Sequence, residues 1–498
     1  MKNNLKRLAA IVLAAAMVLS LASCGGGSVA VQEFAENAGV LTGYNGKGGD
    51  VVIPSKVKVI GENAFAENDT ITSITLPENL ETIERGAFRY CTNLKSITFP
   101  ESLTTIADSA FYGSGLETLT LGGAIESIGN WSFAYCANLT SVEIAETVTG
   151  IGSYAFNGCE QLADVSLPET IANGFGKQSF VGTPFLENNG GFVVRDGTLL
   201  AYQGESTSVT IPDGVTAIGP AAFKGTGVEE IIGLEDVHSI DPTALIGTPW
   251  LSSLGEFAVV GGILFQYSGE GGDVVIPSDC EAINADVFYK NNDITSVTIP
   301  ASVKEIGEDA FKLCKNLTTV TIQGSVIIDS GAFQDCDSLT TVTIAGDANV
   351  GKDAFKKCES LTAISLKNGK VGNGSFDGCT ALETVTLENV KSLDRNAFRE
   401  CIALSKLTLG EGLEKIGQDA FKHCESLTGA LALPATLEEI GRTAFTGCTG
   451  ITGVTIPASV SEIGKGAFSG CSALGSVSIG NAGADIAKDA FEGTPYAG

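Results

Sequence analysis

Ile83-Glu-Arg-Gly-Ala-Phe88-Arg-Tyr-Cys91-Thr-Asn-Leu94-Lys-Ser-Ile97-Thr-Phe-Pro100 is the stretch from which the fold can be read. Over Lys95 to Pro100, polar residues alternate with large apolar ones, the pattern of a strand with one buried face, and the final Pro suits a strand end. Ile83 to Phe88 suits a second short extended piece running into a tight turn that carries Ala87-Phe88. A unit this small cannot bury its apolar face alone, so it must stack on copies of itself.

The copies are present. Ile60-Gly-Glu-Asn-Ala-Phe65 precedes this unit, Ile106-Ala-Asp-Ser-Ala-Phe111 follows it, and the series runs on to Ile486-Ala-Lys-Asp-Ala-Phe491. The aromatic column falls at intervals of 21 to 24 residues, apart from two intervals of 43, and Leu245 replaces Phe once. Stacked copies would place each inward column in register, with strands ~4.8 Å apart and backbone pairing from coil to coil. The expected fold is a repeat solenoid over 43–498, mainly parallel β with short helical turns, in about 20 coils of 22–23 residues.

The recurring pattern x-x-Ile-Gly-x-x-Ala-Phe-x-x-Cys-x-x-Leu-x-x-Val-x-Ile-Pro resembles the bacterial BspA-type leucine-rich repeat. That resemblance implies a leucine-rich-repeat solenoid. It also implies a binding role, since members of the family are associated with adhesion to host matrix proteins and to other cells.

Each 43-residue interval holds a modified copy, placed as hairpin-like insertions at 181–217 and 246–282. In both, a Gly-Thr-Pro (from Gly182 and from Gly247) precedes two alternating apolar runs, and Asp196-Gly197 or Gly261-Gly262 between the runs reads as a β-hairpin turn. Val40 to Tyr44 looks like the latter half of the same unit, and Gly493-Thr-Pro-Tyr496 like its beginning. If the hairpins protrude, Tyr202, Trp250, Phe257 and Tyr267 are candidate partner contacts. The alternative is that they act as internal caps packing those aromatics.

The amino terminus reads as an export signal. Basic residues in Met1–Arg7 precede an apolar run from Leu8 to Leu21, too short to span a bilayer. Leu21-Ala-Ser-Cys24 resembles the bacterial lipobox, which implies cleavage after residue 23 and a lipid thioether on Cys24. Residues 1–23 are then a lipoprotein signal peptide, and 24–42 a lipidated terminus and linker whose Gly25-Gly-Gly-Ser28 is a flexible spacer. The expected location is the cell surface, anchored in the bacterial membrane through Cys24.

Charge and composition exclude several function classes. The 58 acidic residues against 30 basic give a net charge of −28, which repels phosphate backbones, so no nucleic-acid partner is expected. The acidity is uneven: residues 100–289 hold 24 acids and 3 bases, residues 304–422 hold 17 and 14. With 2 His, far apart, and no catalytic motif, no enzyme activity and no cofactor are expected. Eleven of the 13 Cys stand three residues after the column Phe, and sulfurs ~5 Å apart on a line cannot surround a metal. They read as small reduced core thiols, with disulfides between adjacent coils as the alternative, since the spacing overlaps the permitted Cα range while parallel Cβ vectors would need adjustment.

Lys312, Lys356, Arg399 and Lys422 recur one residue after the column Phe, a broken basic stripe that is either a partner contact or charge balance. The sequence thus points to a monomeric, lipid-anchored surface protein that meets a protein or glycan ligand on host or neighbouring cells. A self-associating envelope spacer is the alternative.

Overall fold

The computed structural model describes residues 33–169, 171 and 174–496. The leader, Cys24 and the Gly-rich spacer lie outside the described residues. The chain forms two compact units, divided between Asn188 and Asn189.

In the first unit each coil contributes to two parallel ladders. One pairs the two-residue strands Val59–Ile60, Thr82–Ile83, Thr105–Ile106, Ser127–Ile128 and Gly150–Ile151, with Ile60, Ile83, Ile106, Ile128 and Ile151 in register. The other pairs Thr118–Leu121 with Ser141–Ile144 and then Asp164–Ser166. Thr118 and Thr120 face solvent while Leu119 and Leu121 are buried, as the alternation requires. The second unit repeats the plan, and the strands following Phe311 and Phe333 pair Thr319, Val320, Thr321 and Ile322 residue for residue with Thr341, Val342, Thr343 and Ile344.

Between the ladders the Phe side chains form a spine. From Phe288 to Phe491 successive ring centroids lie 4.6–5.4 Å apart with planes 3–10° from parallel. That spacing exceeds the ~3.5 Å carbon contact distance, so the rings are offset, which avoids quadrupole repulsion between stacked faces. Phe65 to Phe180 form the same spine in the first unit.

The thiol column has a defined task. Each of the eleven Cys at this position directs its Sγ–H to the carbonyl of the Phe in an earlier coil at 3.0–3.3 Å, as Cys91 does to Phe65 and Cys358 to Phe333. Cys280, at a different position, bonds the Ala282 carbonyl. All twelve described cysteines are free and buried. A small, weakly polar side chain satisfies a backbone acceptor in the core without a full desolvation cost.

Where the Cys position is taken by Thr183 or Thr248, each followed by Pro, the coil stack ends. Thr248 Oγ1 donates to the Leu245 carbonyl at 2.9 Å and accepts the Leu251 N–H at 3.2 Å, capping the helix Pro249–Ser253. Thr183 does the same for the helix Pro184–Asn188. Helix among the described residues is confined to these two segments.

Each new stack opens with an antiparallel hairpin: Phe34–Asn37 with Val40–Tyr44, Phe192–Arg195 with Thr198–Tyr202, and Phe257–Val260 with Ile263–Tyr267. All three carry an irregularity at the second residue of the first strand. All turn through two left-handed residues, Ala38-Gly39, Asp196-Gly197 and Gly261-Gly262, the geometry of a two-residue hairpin. The first hairpin corrects the boundary expected at residue 43: residues 33–42 are folded, and 43 lies inside a strand.

Candidate interaction surface

The turn around each Phe decides what the solenoid shows to solvent. In nearly every coil the residues two before and two after Phe adopt a left-handed conformation, such as Asn63 and Glu67, Asp309 and Leu313, or Asp419 and His423. Two left-handed residues reverse the chain within five positions and bring the Phe N–H to the carbonyl before the next Phe, for example Phe311 to Ala332 at 2.7 Å. For a side chain other than Gly, Asn or Asp this conformation costs about 1 kcal/mol. The side chains at these two positions, and at the one following Phe, point outward and form the variable face.

The hairpin aromatics do not belong to that face, contrary to the expectation that they protrude. Tyr202 is 5% exposed, stacked between Phe192 (4.9 Å) and Phe223 (5.9 Å), and its hydroxyl accepts the Ser206 N–H at 3.0 Å. Phe257 and Tyr267 pack on each other at 5.1 Å, Tyr267 on Phe288 at 4.8 Å, and the Gly271 N–H closes onto the Tyr267 hydroxyl. Trp250 is half-buried against the core of the coils before it. The physical reason is the register: Thr198–Leu199 pairs in parallel with Ala217–Ile218, and Ile263–Leu264 with Ala282–Ile283. Each hairpin therefore stacks as a terminal coil and closes the spine with a Phe–Tyr pair.

The basic stripe is neutralised from within. Lys312 meets Asp309 at 2.8 Å, Lys356 meets Asp353 at 3.2 Å and Lys422 meets Asp419 at 3.6 Å, each across one turn. Arg399 forks onto both oxygens of Asp377 in the preceding coil, at 2.7 and 2.8 Å. The Asp309 and Asp377 carboxylates, as hydrogen-bond partners, hold the Lys312 ammonium and the Arg399 guanidinium above their ordinary ranges. A ligand for this stripe would have to displace four ion pairs.

The face that is left uncompensated lies in the first unit. Tyr90, Tyr112, Trp131, Tyr135 and Tyr154 come from four successive coils and form one continuous surface. Tyr90 meets Tyr112 at 5.3 Å edge to face, Tyr112 meets Tyr135 at 5.3 Å and Trp131 at 6.3 Å, and Trp131 stacks on Tyr154 at 4.1 Å. Tyr90 and Tyr135 are 39% and 48% exposed, and the other three are half-buried. Loss of water, and after it the neighbouring Tyr90 and Tyr135 phenols, raise the Tyr112 phenol above its usual pKa.

Four of these five, all but Tyr112, hold left-handed backbone, with φ of 57 to 61°. The rings lie along the surface over the next coil: a Cβ on Gly113 would come within 2.6 Å of Tyr90 Cδ1, and one on Gly158 within 2.8 Å of Tyr135 Cδ1. Sequence reasoning missed this surface because its members sit at three different offsets from Phe. A signal was present: four of the nine Tyr and one of the two Trp fall between residues 90 and 154.

Among the described residues no group of His, Cys, Asp and Glu could hold a metal ion, and no helix is long and apolar enough to cross a membrane. A family model described as the BspA type leucine rich repeat region matches residues 50–187, 199–255, 260–383, 348–429 and 369–497. Among solved structures, the chain is similar to a leucine-rich repeat protein of T. pallidum, with 29% identity over 33% of this chain and 82% of that one, at a TM-score of 0.30. It is similar to a leucine rich cell surface protein of Faecalibacterium prausnitzii, with 22% identity over 92% and 96% and a TM-score of 0.27. A leucine-rich repeat protein of Bacteroides ovatus shares 22% identity over 76% and 77%, with a TM-score of 0.25. No curated protein matches.

Proposed function

We propose that this chain, which belongs to the BspA-type leucine-rich repeat family, is an exported lipoprotein that holds its solenoid outside the bacterial membrane and makes adhesive contacts with protein partners. The observation that carries the reading is the exposed aromatic surface of the first unit. Aromatic side chains supply large contact area at low entropic cost and are enriched where proteins meet. Four of the five occupy left-handed positions that other coils fill with residues as different as Gly113, Asp309, Glu400 and Thr443, so the fold alone does not call for an aromatic ring there. The lipobox-like Leu21-Ala-Ser-Cys24 supports export and anchoring. A rigid stack presents such a surface without ordering cost on binding.

The test is capture by the soluble form, residues 25–498, from extracellular-matrix proteins, host-cell surfaces and the producer's own envelope, read by mass spectrometry. A saturable partner outside the producer is the expected result. Enrichment of the chain itself alone, together with a size that grows with concentration in gel filtration, would replace adhesion with a self-associating spacer.

A further inference from the structure

We infer that the Tyr90–Tyr154 surface is a docking site for a cationic, arginine- or lysine-bearing segment of a partner protein; the inference rests on the adhesive reading above and names the partner chemistry of the same surface. The first argument is charge. Residues 83–160, the coils of Phe88 to Phe156 that build the surface, hold eight carboxylates and three bases, of which Lys95 is paired with Glu117 at 3.0 Å and Arg89 lies 3.8 Å from Glu67. Aromatic faces attract cations through the ring quadrupole, and a field of carboxylates around them adds to that attraction over a Debye length.

The second argument is that the protein already makes this contact with its own side chains. The Arg89 guanidinium lies 4.9 Å from the centre of the Tyr90 ring, at one end of the surface. Tyr289, an exposed tyrosine outside this surface, carries the Lys290 ammonium at 4.8 Å. Beyond Tyr90, no cation of the described residues lies over the rings of Tyr112, Trp131, Tyr135 or Tyr154, while their coils carry the acidic excess. An anionic glycan or a phosphorylated segment would meet the same carboxylates as repulsion, and a neutral glycan would gain nothing from them.

The test uses residues 25–498 carrying Trp250→Phe, which leaves Trp131 as the sole tryptophan. Octa-arginine, octa-glutamate and a neutral hexasaccharide are titrated at 0.15 M and 0.3 M salt. The expected result is saturable octa-arginine binding that changes Trp131 emission, weakened at least tenfold in the triple variant Tyr90→Gly, Tyr135→Gly, Tyr154→Gly. That variant keeps every charge, and it places Gly where Gly113, Gly158 and Gly86 hold the equivalent left-handed positions, so a retained melting temperature shows it folded. Binding within twofold of the parent in the variant, a silent Trp131, or a Trp131 response to the hexasaccharide instead would each overturn the proposal. The capture experiment repeated with the variant separates the two conclusions. A partner retained by parent and variant alike leaves adhesion standing and removes this site. Octa-arginine bound at Trp131 by a chain that captures no partner removes adhesion and leaves the site.

Discussion

The coils of Phe88 to Phe156 and those of Phe311 to Phe421 share their inner columns and differ on their outer turn. In both, a branched aliphatic residue, Phe, Cys (Ser114 in one coil) and Leu are buried at corresponding positions. On the turn, the first group shows Tyr90, Tyr112, Trp131, Tyr135 and Tyr154, while the second shows Lys312–Asp309, Lys356–Asp353, Arg399–Asp377 and Lys422–Asp419. The comparison teaches that the fold constrains the outer turn only through its backbone. Asp in the left-handed position is cheap and holds a cation of its own chain; Tyr and Trp there cost more and hold almost none. One face is electrostatically closed and the other open.

The largest expected difference is the response to base. Burial pushes the thiols of Cys336, Cys358, Cys379, Cys401, Cys424 and Cys448 far up, and Cys471 to about 12 and Cys280 to about 11. A thiol with a raised folded pKa stabilises the fold fully below the unfolded value of ~8.5, and that contribution is lost as pH rises toward the folded value. Each such thiol removes up to about 1.4 kcal/mol per pH unit in that window. The second unit, with these eight raised thiols against two described in the first, Cys91 and Cys159, should therefore open first between pH 9 and 11. Pulsed alkylation with peptide mapping would show Cys280 to Cys471 labelled before Cys91 to Cys159; the reverse order would break the comparison.

Next in size is the spine itself. Phe111→Ala and Phe333→Ala should each cost about 3–5 kcal/mol, because both rings are fully buried between two others. Equal shifts in urea midpoint, measured on the transition of the unit concerned, would sharpen the claim that the two groups differ only outside. A smaller effect follows from Asp377→Asn: it weakens a bidentate pair whose Arg399 is 37% exposed, so about 1 kcal/mol is expected in the same assay. Smallest are Tyr90→Gly and Tyr135→Gly, which should move the midpoint by less than about 0.5 kcal/mol, since relief of the left-handed backbone offsets the lost ring contacts.

Much of the architecture was legible in the residues. The interval between Phe positions, the polar–apolar alternation of the strands and the marks at Asp196-Gly197 and Gly261-Gly262 are local patterns with local causes. The hairpin at Phe34 was half legible, because Ala38-Gly39 is a weaker turn signal than Asp-Gly and the first strand carries Glu36 and Asn37. The aromatic surface was not legible, because Tyr90, Tyr112 and Trp131 stand two after, one after and two before their own Phe. Those offsets become neighbours only once a five-residue turn with two left-handed residues is stacked on the next.

By itself, then, the sequence determined the coil, its period and its buried columns, since burial follows from which side chains avoid water and repeats wherever the pattern repeats. The tertiary structure decided which outward side chains meet. It turned the hairpin aromatics inward, because parallel pairing of Thr198–Leu199 and Ile263–Leu264 with the coils that follow makes each hairpin the end of a spine. It closed Lys312, Lys356, Arg399 and Lys422 onto aspartates. It gathered five rings from four coils into one surface, because distances across a stack are set by the ~4.8 Å strand spacing rather than by separation along the chain.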